Sequence, residues 1–522
     1  MPKNIVICFD GTKNDPSDAD QEILEAGGLE DDGISNILKL YFLLGGRLEN
    51  LNQVKSEEGD TLRDSKFDNQ PVFYFQGVGS YGGPIKKLLN AALAPRQLDV
   101  RRIIGQGLDV LNEHYEQGDR IYLFGFSRGA AIARRFASVI TRPENGLDIA
   151  PKAIRFLGVF DTVSSFGMPG LSDDKLPDSD VIFEDKNRVS ENVVEALHLV
   201  SLDERRNAFK PTLMANEERI TEVWFPGVHS DIGGGYFYDG LSDITLEFML
   251  SVLNKRIPDL RTRSSNDVVA EEFSEDDFGL DEHDINLYAN HLAMIHWHSR
   301  IGDVFLGDRD LRVCASKNNA AVNPTPLIHR SAIDRIADDH SYTSASLFEG
   351  ISHRVIDNDG TLSPASDLDF DHHRTTPRIP SKSLTVSNTL TIQVHASQHY
   401  CPAHIAVKAG EAYLFQPELG SHWVDQTIKC DAKGWQAKDV ISLFKRPFFY
   451  MKEGDRRHPD AEWFELLGSV GRSDAACFRP LHHHTDPWTV DEDGELFFFP
   501  NDLIDYYGNN KGFIDVTIKR VS

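Results

Sequence analysis

The sequence predicts a chain of two parts, a mostly parallel α/β sheet followed by an all-β sandwich. Two observations carry the first part. Near-continuous apolar strands alternate with helix-compatible runs up to about residue 350, as in a sheet buried on both faces. Polar residues and glycines gather where those strands end. The third observation carries the second part: beyond about residue 385 the helical runs cease, and short strands separated by turns follow. At 522 residues, more than one domain is the default. The expected bounds are 1–355 for the α/β part, with an insertion at about 266–323, 356–385 for a polar, proline-bearing linker, and 386–522 for the sandwich.

In order, Ile5 to Phe9 is a strand ending in Asp10-Gly11-Thr12. A chain leaving a central strand through glycine can offer a backbone N–H to a site above the sheet, although a tight turn fits the same residues. Gly33 to Leu44 has helical apolar spacing. Val72 to Phe75 is a strand running into Gly77-Val78-Gly79, a loop without the Lys-Ser/Thr of a phosphate-binding loop. Leu98 to Tyr115 is an amphipathic helix stopped by Gln117-Gly118-Asp119. Ile121 to Phe124 then enters Gly125-Phe126-Ser127-Arg128-Gly129, and a helix follows from Ala130. Ile154 to Phe160 is a buried strand ending in Asp161, 191–200 reads as a helix containing His198, and Val223 to Val228 is a strand ending in His229. Residues 266–323 open acidic and turn apolar and aromatic from Leu287 to Trp297. They read as a solvated loop before a packed helix, or as a lid or membrane-docking cap over Ser127. In the second part, strands are expected at Leu384–Val386, Leu390–Val394, Ala412–Phe415, Leu496–Phe499 and Phe513–Ile518.

Composition narrows the function. A net charge of −27 argues against a nucleic-acid partner and against general adhesion to anionic lipid. It leaves open a lipid met through an apolar surface. Five scattered cysteines form neither a disulfide framework nor a zinc ribbon, and fit synthesis in a reducing cytoplasm. The N-terminus reads as a core strand without the apolar core of a signal peptide, so export would use a signal-independent route. No apolar run is long enough to span a membrane.

Strand, Gly-x-Ser-x-Gly and helix together describe a nucleophile elbow. The serine is forced into a strained turn that holds its hydroxyl clear of the sheet, and the glycines avoid clashes across that turn. Such a serine needs a base to take its proton and an acid to orient the base. Ser127, Asp161 and His229 stand in the chain order Ser, Asp, His of α/β-hydrolases, each just past a strand. Asp161 also fits a helix cap and His229 a turn histidine; Asp203 and Asp231 are rival acids, and His198 is a rival base. The N–H of Arg128, with one from Gly11 or Thr12, is the expected oxyanion hole.

These residues carry a resemblance. Gly125-Phe-Ser-Arg-Gly-Ala130, Gly158-Val-Phe-Asp-Thr162, Asp203-Glu-Arg-Arg206 with Phe209-x-Pro211, and Trp224-Phe-Pro-Gly-Val-His-Ser-Asp-Ile-Gly-Gly-Gly235 resemble the α/β-hydrolase family of type VI secretion phospholipase effectors. Asp10-Gly-Thr12, Gly77-Val-Gly79 and Ile328-His-Arg-Ser331 fit the same pattern over about residues 3–350. The resemblance implies that Ser127, Asp161 and His229 form a triad hydrolysing glycerophospholipid acyl esters, with a secretion-system component or an immunity protein as partner. A soluble-substrate esterase or thioesterase, and a non-catalytic carbohydrate-binding protein on a hydrolase scaffold, are the alternative readings.

The sandwich carries its own signals. Asn501-Asp502, Asp505 and Asn509-Asn510 gather oxygens around a glycine turn, which suits Ca²⁺ or a plain hydrophilic turn. Tyr507-Gly-Asn-Asn510-Lys-Gly-Phe-Ile-Asp-Val-Thr-Ile518, Gly454-Asp-Arg-Arg-His458-Pro-Asp460 and Gly434-Trp435 resemble the PA-IL-type galactose lectins, which are calcium-dependent β-sandwiches, over about residues 388–520. By that resemblance Asp502, Asn509 and Asn510 give side-chain oxygens to Ca²⁺, Lys438 and Tyr506 give backbone carbonyls, and His458 touches a galactoside or glycolipid. Ala461 and Tyr506 depart from the family pattern.

Overall fold

The computed structural model describes residues 2–11, 33–47, 65–77, 97–163, 188–206, 209–236, 239–272, 280, 282–296, 312, 314, 325–339, 342, 344, 346–375, 382–396, 398–418, 420–425, 428–440, 454, 456–471, 473–474, 477–503, 507 and 510–522. They fall into two compact units, one drawn from residues up to His373 and the other chiefly from Arg374–Ser522.

In the first unit one sheet contains β1 (Asn4–Phe9), β2 (Val72–Phe75), β3 (Arg120–Phe126), β4 (Ile154–Phe160), β5 (Val193–Ser201), β6 (Ile220–Phe225), β7 (Leu327–His329), β8 (Ser352–Ile356) and β9 (Ser366–Asp367). The order is β2-β1-β3-β4-β5-β6-β7-β8-β9. Every pair through β8 is parallel, and β9 runs antiparallel. The apolar runs read from sequence are the buried strands: Ile5, Val6, Ile7, Ile121, Leu123, Phe124, Leu157 and Val159 have no exposed surface. The chain passes from β1 outward to β2 and returns to β3 on the other side of β1. At such a reversal the loops diverge and leave a crevice at the carboxyl ends of the strands.

The helices are α1 (Asn36–Leu43), α2 (Gln97–His114), α3 (Ser127–Val139), α4 (His229–Gly233), α5 (Gly240–Arg256), α6 (Ser265–Glu272), α7 (Glu282–Ile285) and α8 (Arg330–Asp338). Ser35 starts α1 by accepting the Leu38 N–H, as an N-cap serine does. All of α1 is buried, Lys39 included. The Lys39 ammonium lies 2.6 Å from Asp239 Oδ2 and 2.8 Å from Asp243 Oδ1, so the charge is buried with two partners rather than alone. Residues of α2 and α3 join β1 to β5 in one core cluster.

Three expectations for this part of the chain are corrected. Residues 191–200 do not form a helix: Val193–Ser201 is the interior strand β5, with His198 buried on it. Pairing on both sides, with β4 and β6, decides the conformation there. Residues 287–296 are irregular rather than helical. The Tyr288 N–H is satisfied by Asp243 Oδ2 at 2.7 Å instead of by a helical carbonyl. Residues 356–373, expected as the start of a linker, contribute β9 and the short helix Phe370–Thr375. The rest of the expected insertion, from 297 on apart from Arg312 and Cys314, lies outside the described residues.

In the second unit the strands are β10 (Thr389–His395), β11 (Cys401–Val407), β12 (Ala412–Pro417), β13 (His422–Asp425), β14 (Ile428–Cys430), β15 (Leu466–Val470), β16 (Trp488–Thr489), β17 (Gly494–Pro500) and β18 (Asn510–Arg520). One sheet has the order β14-β13-β18-β12-β16 with β10 also on β18, and the other β11-β17-β15. All pairings are antiparallel. Val394, Phe415, Trp423 and Ile514 of the first sheet share a core with Ile405, Leu466 and Phe498 of the second. The strand expected at Leu384–Val386 is absent; the chain there turns into β10. Among the described residues of both units, no helix is long and apolar enough to cross a membrane.

Candidate active site

The carboxyl ends of β3, β4 and β6 each deliver one polar side chain. Ser127 follows β3 directly and adopts φ 56°, the left-handed conformation expected of an elbow serine. The flanking glycines are required. A Cβ on Gly125 would lie 2.6 Å from the Gly129 carbonyl oxygen, and one on Gly129 would lie 2.2 Å from that of Phe9. The close approach at Gly129 brings the end of β1 against the elbow. Asp161 follows β4, also with a positive φ, 37°. Its N–H donates to Leu199 O at 2.7 Å, and Val163 N–H donates to Ser127 O at 3.2 Å, tying the acid's turn to the elbow. His229 opens α4 after β6.

The three side chains meet. His229 Nε2 lies 2.8 Å from Ser127 Oγ, and His229 Nδ1 lies 2.6 Å from Asp161 Oδ2. The carboxylate accepts only, so it fixes the proton on Nδ1 and leaves the Nε2 lone pair facing the serine hydroxyl. The imidazole packs against Phe126 and edge-on to Phe209, each with ring centroids 4.8 Å away. Burial pushes the His229 pKa below its ordinary value despite the opposing pull of Asp161. Burial also opposes ionisation of Asp161, but the Arg312 guanidinium and the His229 bond outweigh it and hold the carboxyl well below the usual range. Glu204 Oε2 accepts the His229 N–H at 3.3 Å. Burial would raise the pKa of Glu204, yet its pairing with Arg206 brings it down to about 2.

The rival groups are engaged elsewhere. Asp203 Oδ2 accepts the Gly227 N–H at 2.7 Å and the Tyr342 hydroxyl at 2.8 Å. Asp231 Oδ2 accepts the Val228 N–H at 2.8 Å, and Oδ1 pairs with His296 Nδ1 at 2.5 Å. His198 Nε2 accepts the Thr162 N–H at 3.1 Å, and its Nδ1 faces Glu222 at 2.9 Å, so it supports the acid's turn from β5. Of the expected oxyanion donors, Arg128 is the second residue of α3, and the Gly11 N–H is held by Asp10 Oδ1 at 2.6 Å. Asp10 Oδ2 also accepts from Ser35 at 2.5 Å and Tyr74 at 2.6 Å, which pins the end of β1. Thr12 lies outside the described residues. Sequence reasoning missed Arg312 and gave no role to Glu204 or Phe209, although the last two stand in a stretch the resemblance singles out.

In the second unit, Asp502 and Asn510 come together: Asn510 Nδ2 donates to Asp502 Oδ2 at 3.0 Å. Among the described residues, Asn510 Oδ1 is buried with no hydrogen-bond partner. Asp425, which the sequence reading did not single out, sits opposite Asn510 in the β13–β18 register. Burial and then the nearby Asp502 push its carboxyl well above the usual range, and burial raises Asp502 to about 6. Two buried carboxylates and an orphaned amide oxygen are a donor set that fits a hard divalent cation. Lys438 is exposed on the short helix Ala437–Val440. The His458 N–H donates to Asn501 Oδ1 at 2.9 Å. Tyr506 and Asn509 lie outside the described residues.

A parallel sheet with serine, acid and histidine gathered at its carboxyl edge is the arrangement of the α/β-hydrolase class. Within that class, residues 3–147 and 142–252 match the family model of the type VI secretion phospholipase effector Tle1-like catalytic domain. The chain is similar to an uncharacterised protein of Saccharomyces cerevisiae, YEL023C, at 29% identity over 40% of this chain and 32% of that protein. The chain thus spans about a third of the length of that curated relative. Among solved structures, it overlaps the Tle1 effector bound to the VgrG spike of the type VI secretion system, with 22% identity, TM-score 0.26, and 45% of this chain and 51% of that chain covered. It also overlaps the EclA N-terminal domain, a PllA-like lectin, with 20% identity, TM-score 0.18, and 26% of this chain and 98% of that chain covered.

Proposed function

We propose that the first unit is a serine hydrolase of carboxylic esters, acting on glycerophospholipid acyl esters. The observation that carries this reading is the continuous Ser127–His229–Asp161 relay, with hydrogen bonds of 2.8 and 2.6 Å at the sheet's carboxyl edge. The family match of residues 3–252 supports the lipid class. His229 Nε2 takes the hydroxyl proton as Ser127 Oγ attacks the ester carbonyl carbon. The tetrahedral oxyanion is held by the Arg128 N–H and a second donor from Gly11 or Thr12. If Gly11 serves, its N–H leaves Asp10 Oδ1. The protonated His229 then delivers its proton to the departing alcohol, and water, activated by the same nitrogen, releases the fatty acid from Ser127. Removing one oxyanion donor typically costs about 10²–10³ in rate.

The second unit, in this reading, is a calcium-binding, lectin-like domain that directs the enzyme to sugar-bearing surfaces. Asp502, Asn510 and Asn509 would hold Ca²⁺ with the carbonyls of Lys438 and Tyr506, and His458 would meet a galactoside or glycolipid. The bound ion would supply charge to organise a sugar's hydroxyls. The same family match supports export through a type VI secretion system.

A fluorophosphonate probe tests the serine chemistry. The expected outcome is a single adduct on Ser127, absent from Ser127→Ala; an unlabelled folded protein would favour a binding module on a hydrolase scaffold. Calorimetric titration with galactosides, with and without chelator, tests the second unit. No binding in either state would remove the targeting role.

A further inference from the structure

Asp161 is gripped by a residue far from the rest of the site in sequence. Arg312 stands between α7 and β7, within the stretch expected as an insertion, and is only 6% exposed. Its Nη1 donates to Asp161 Oδ1 at 2.5 Å and its Nη2 to Asp161 Oδ2 at 2.9 Å. The same two nitrogens donate to Ser201 O at 3.1 Å, at the end of β5, and to Phe209 O at 2.6 Å. A planar guanidinium whose two Nη groups are held by a carboxylate and two carbonyls cannot turn without breaking a charge-assisted bond. The remaining lone pair of Asp161 Oδ1 accepts the Ser201 N–H at 3.0 Å. The carboxylate is therefore clamped from both sides, with one direction left for His229.

We propose that Arg312 is a positioning residue of the Ser127–His229–Asp161 triad. It holds the Asp161 carboxylate in the plane that meets His229 Nδ1, and its charge offsets the carboxylate charge that His229 would otherwise feel alone. The inference rests on the triad being catalytic. Charged groups facing His229 are Asp161 at the end of β4 and Glu204 and Arg206 after β5, the last two paired with each other at 2.7 Å. On its own helix, Asp231 is occupied by His296. Arg312 and His229 share Asp161 Oδ2, and His198 reaches the same turn through the Thr162 N–H. With Arg312 removed, the full carboxylate charge acts on the imidazole. The protonated form is then favoured, and the base becomes available only at higher pH.

The test is the pH dependence of fluorophosphonate labelling of the full chain, with melting temperature as a folding control. Arg312→Met is expected to label at least about tenfold more slowly on its plateau, as misplaced catalytic groups do. Its inflection should move up by about one pH unit, the lower end of the shift one neighbouring charge produces. Arg312→Lys keeps the charge but loses the fork; it should label slowly with an inflection near that of the wild type. A folded Arg312→Met with the wild-type rate and inflection would overturn the proposal. If the Met variant does not fold, Arg312→Lys decides, and a wild-type rate for it would overturn the proposal equally. An unlabelled wild type would instead remove the underlying triad reading.

Discussion

At the residue scale, the account rests on a histidine whose environment makes it a base. His229 must be neutral to accept the Ser127 proton. Burial holds its pKa below the ordinary value, so activity should persist as the pH falls below about 6.5, where a free imidazole is half protonated. The acid limb of kcat/KM on a soluble short-chain ester measures this; an inflection above about 7 would contradict it. Asp161→Asn keeps the size of the acid but removes the charge and favours the wrong tautomer. The equivalent change in a serine protease triad lowers kcat about 10⁴-fold, and a loss of that order is expected here. Ser127, Asp161 and His229 were legible because each closes an apolar strand. Arg312 was not, because nothing in the sequence sets it apart from the nearby Arg300 and Arg309 until the fold brings it to Asp161.

At the element scale, the elbow works through missing side chains. Gly129→Ala would put a methyl 2.2 Å from Phe9 O and 2.3 Å from Asp10 O, both backbone atoms that cannot swing away. The expected cost is about 1–3 kcal/mol of stability, typical of overpacking, with loss of ester turnover as β1 is pushed from the elbow. Thermal unfolding and ester assay together check it; wild-type values for both would show that the elbow tolerates a wider turn. The strands around the elbow were legible because parallel strands buried on both faces read as unbroken apolar runs. β5 was not: Glu195 and His198 interrupt its pattern, and only its place between β4 and β6 makes it a strand. In the second unit, β11 and β13 escaped notice because half-buried alternation is a weaker signal than a continuous run, and β15, buried throughout, because Gly468 and Ser469 break its apolar run.

At the scale of the whole molecule, two units with different chemistry share one chain. Asp425 and Asp502 are buried carboxylates, Asp502 raising the pull of Asp425 on a proton, and the Arg457 charge that acts on Asp502 does not bring it down to the usual range, so a divalent ion should stabilise the fold that holds them. Calcium at a hundred times its dissociation constant would add about 2.7 kcal/mol, seen as a rise in the melting transition that chelator reverses and Asp502→Ala abolishes. A melting curve indifferent to calcium would argue that the acidic turn is only a turn. Chelator should leave hydrolysis of a dispersed short-chain ester unchanged, since no triad step uses the ion. The sandwich was legible as a class from its turns; the pairing of Asp425 with Asn510 was not, because strand register appears only in the folded sheet.

The central claim is that Ser127 cuts lipid esters. Its most direct test is turnover of a mixed phospholipid extract by the wild type and by Ser127→Ala, followed by mass spectrometry. The account expects free fatty acid and lysophospholipid to appear with the wild type and not with the variant. Identical lipid profiles from the two proteins would contradict it.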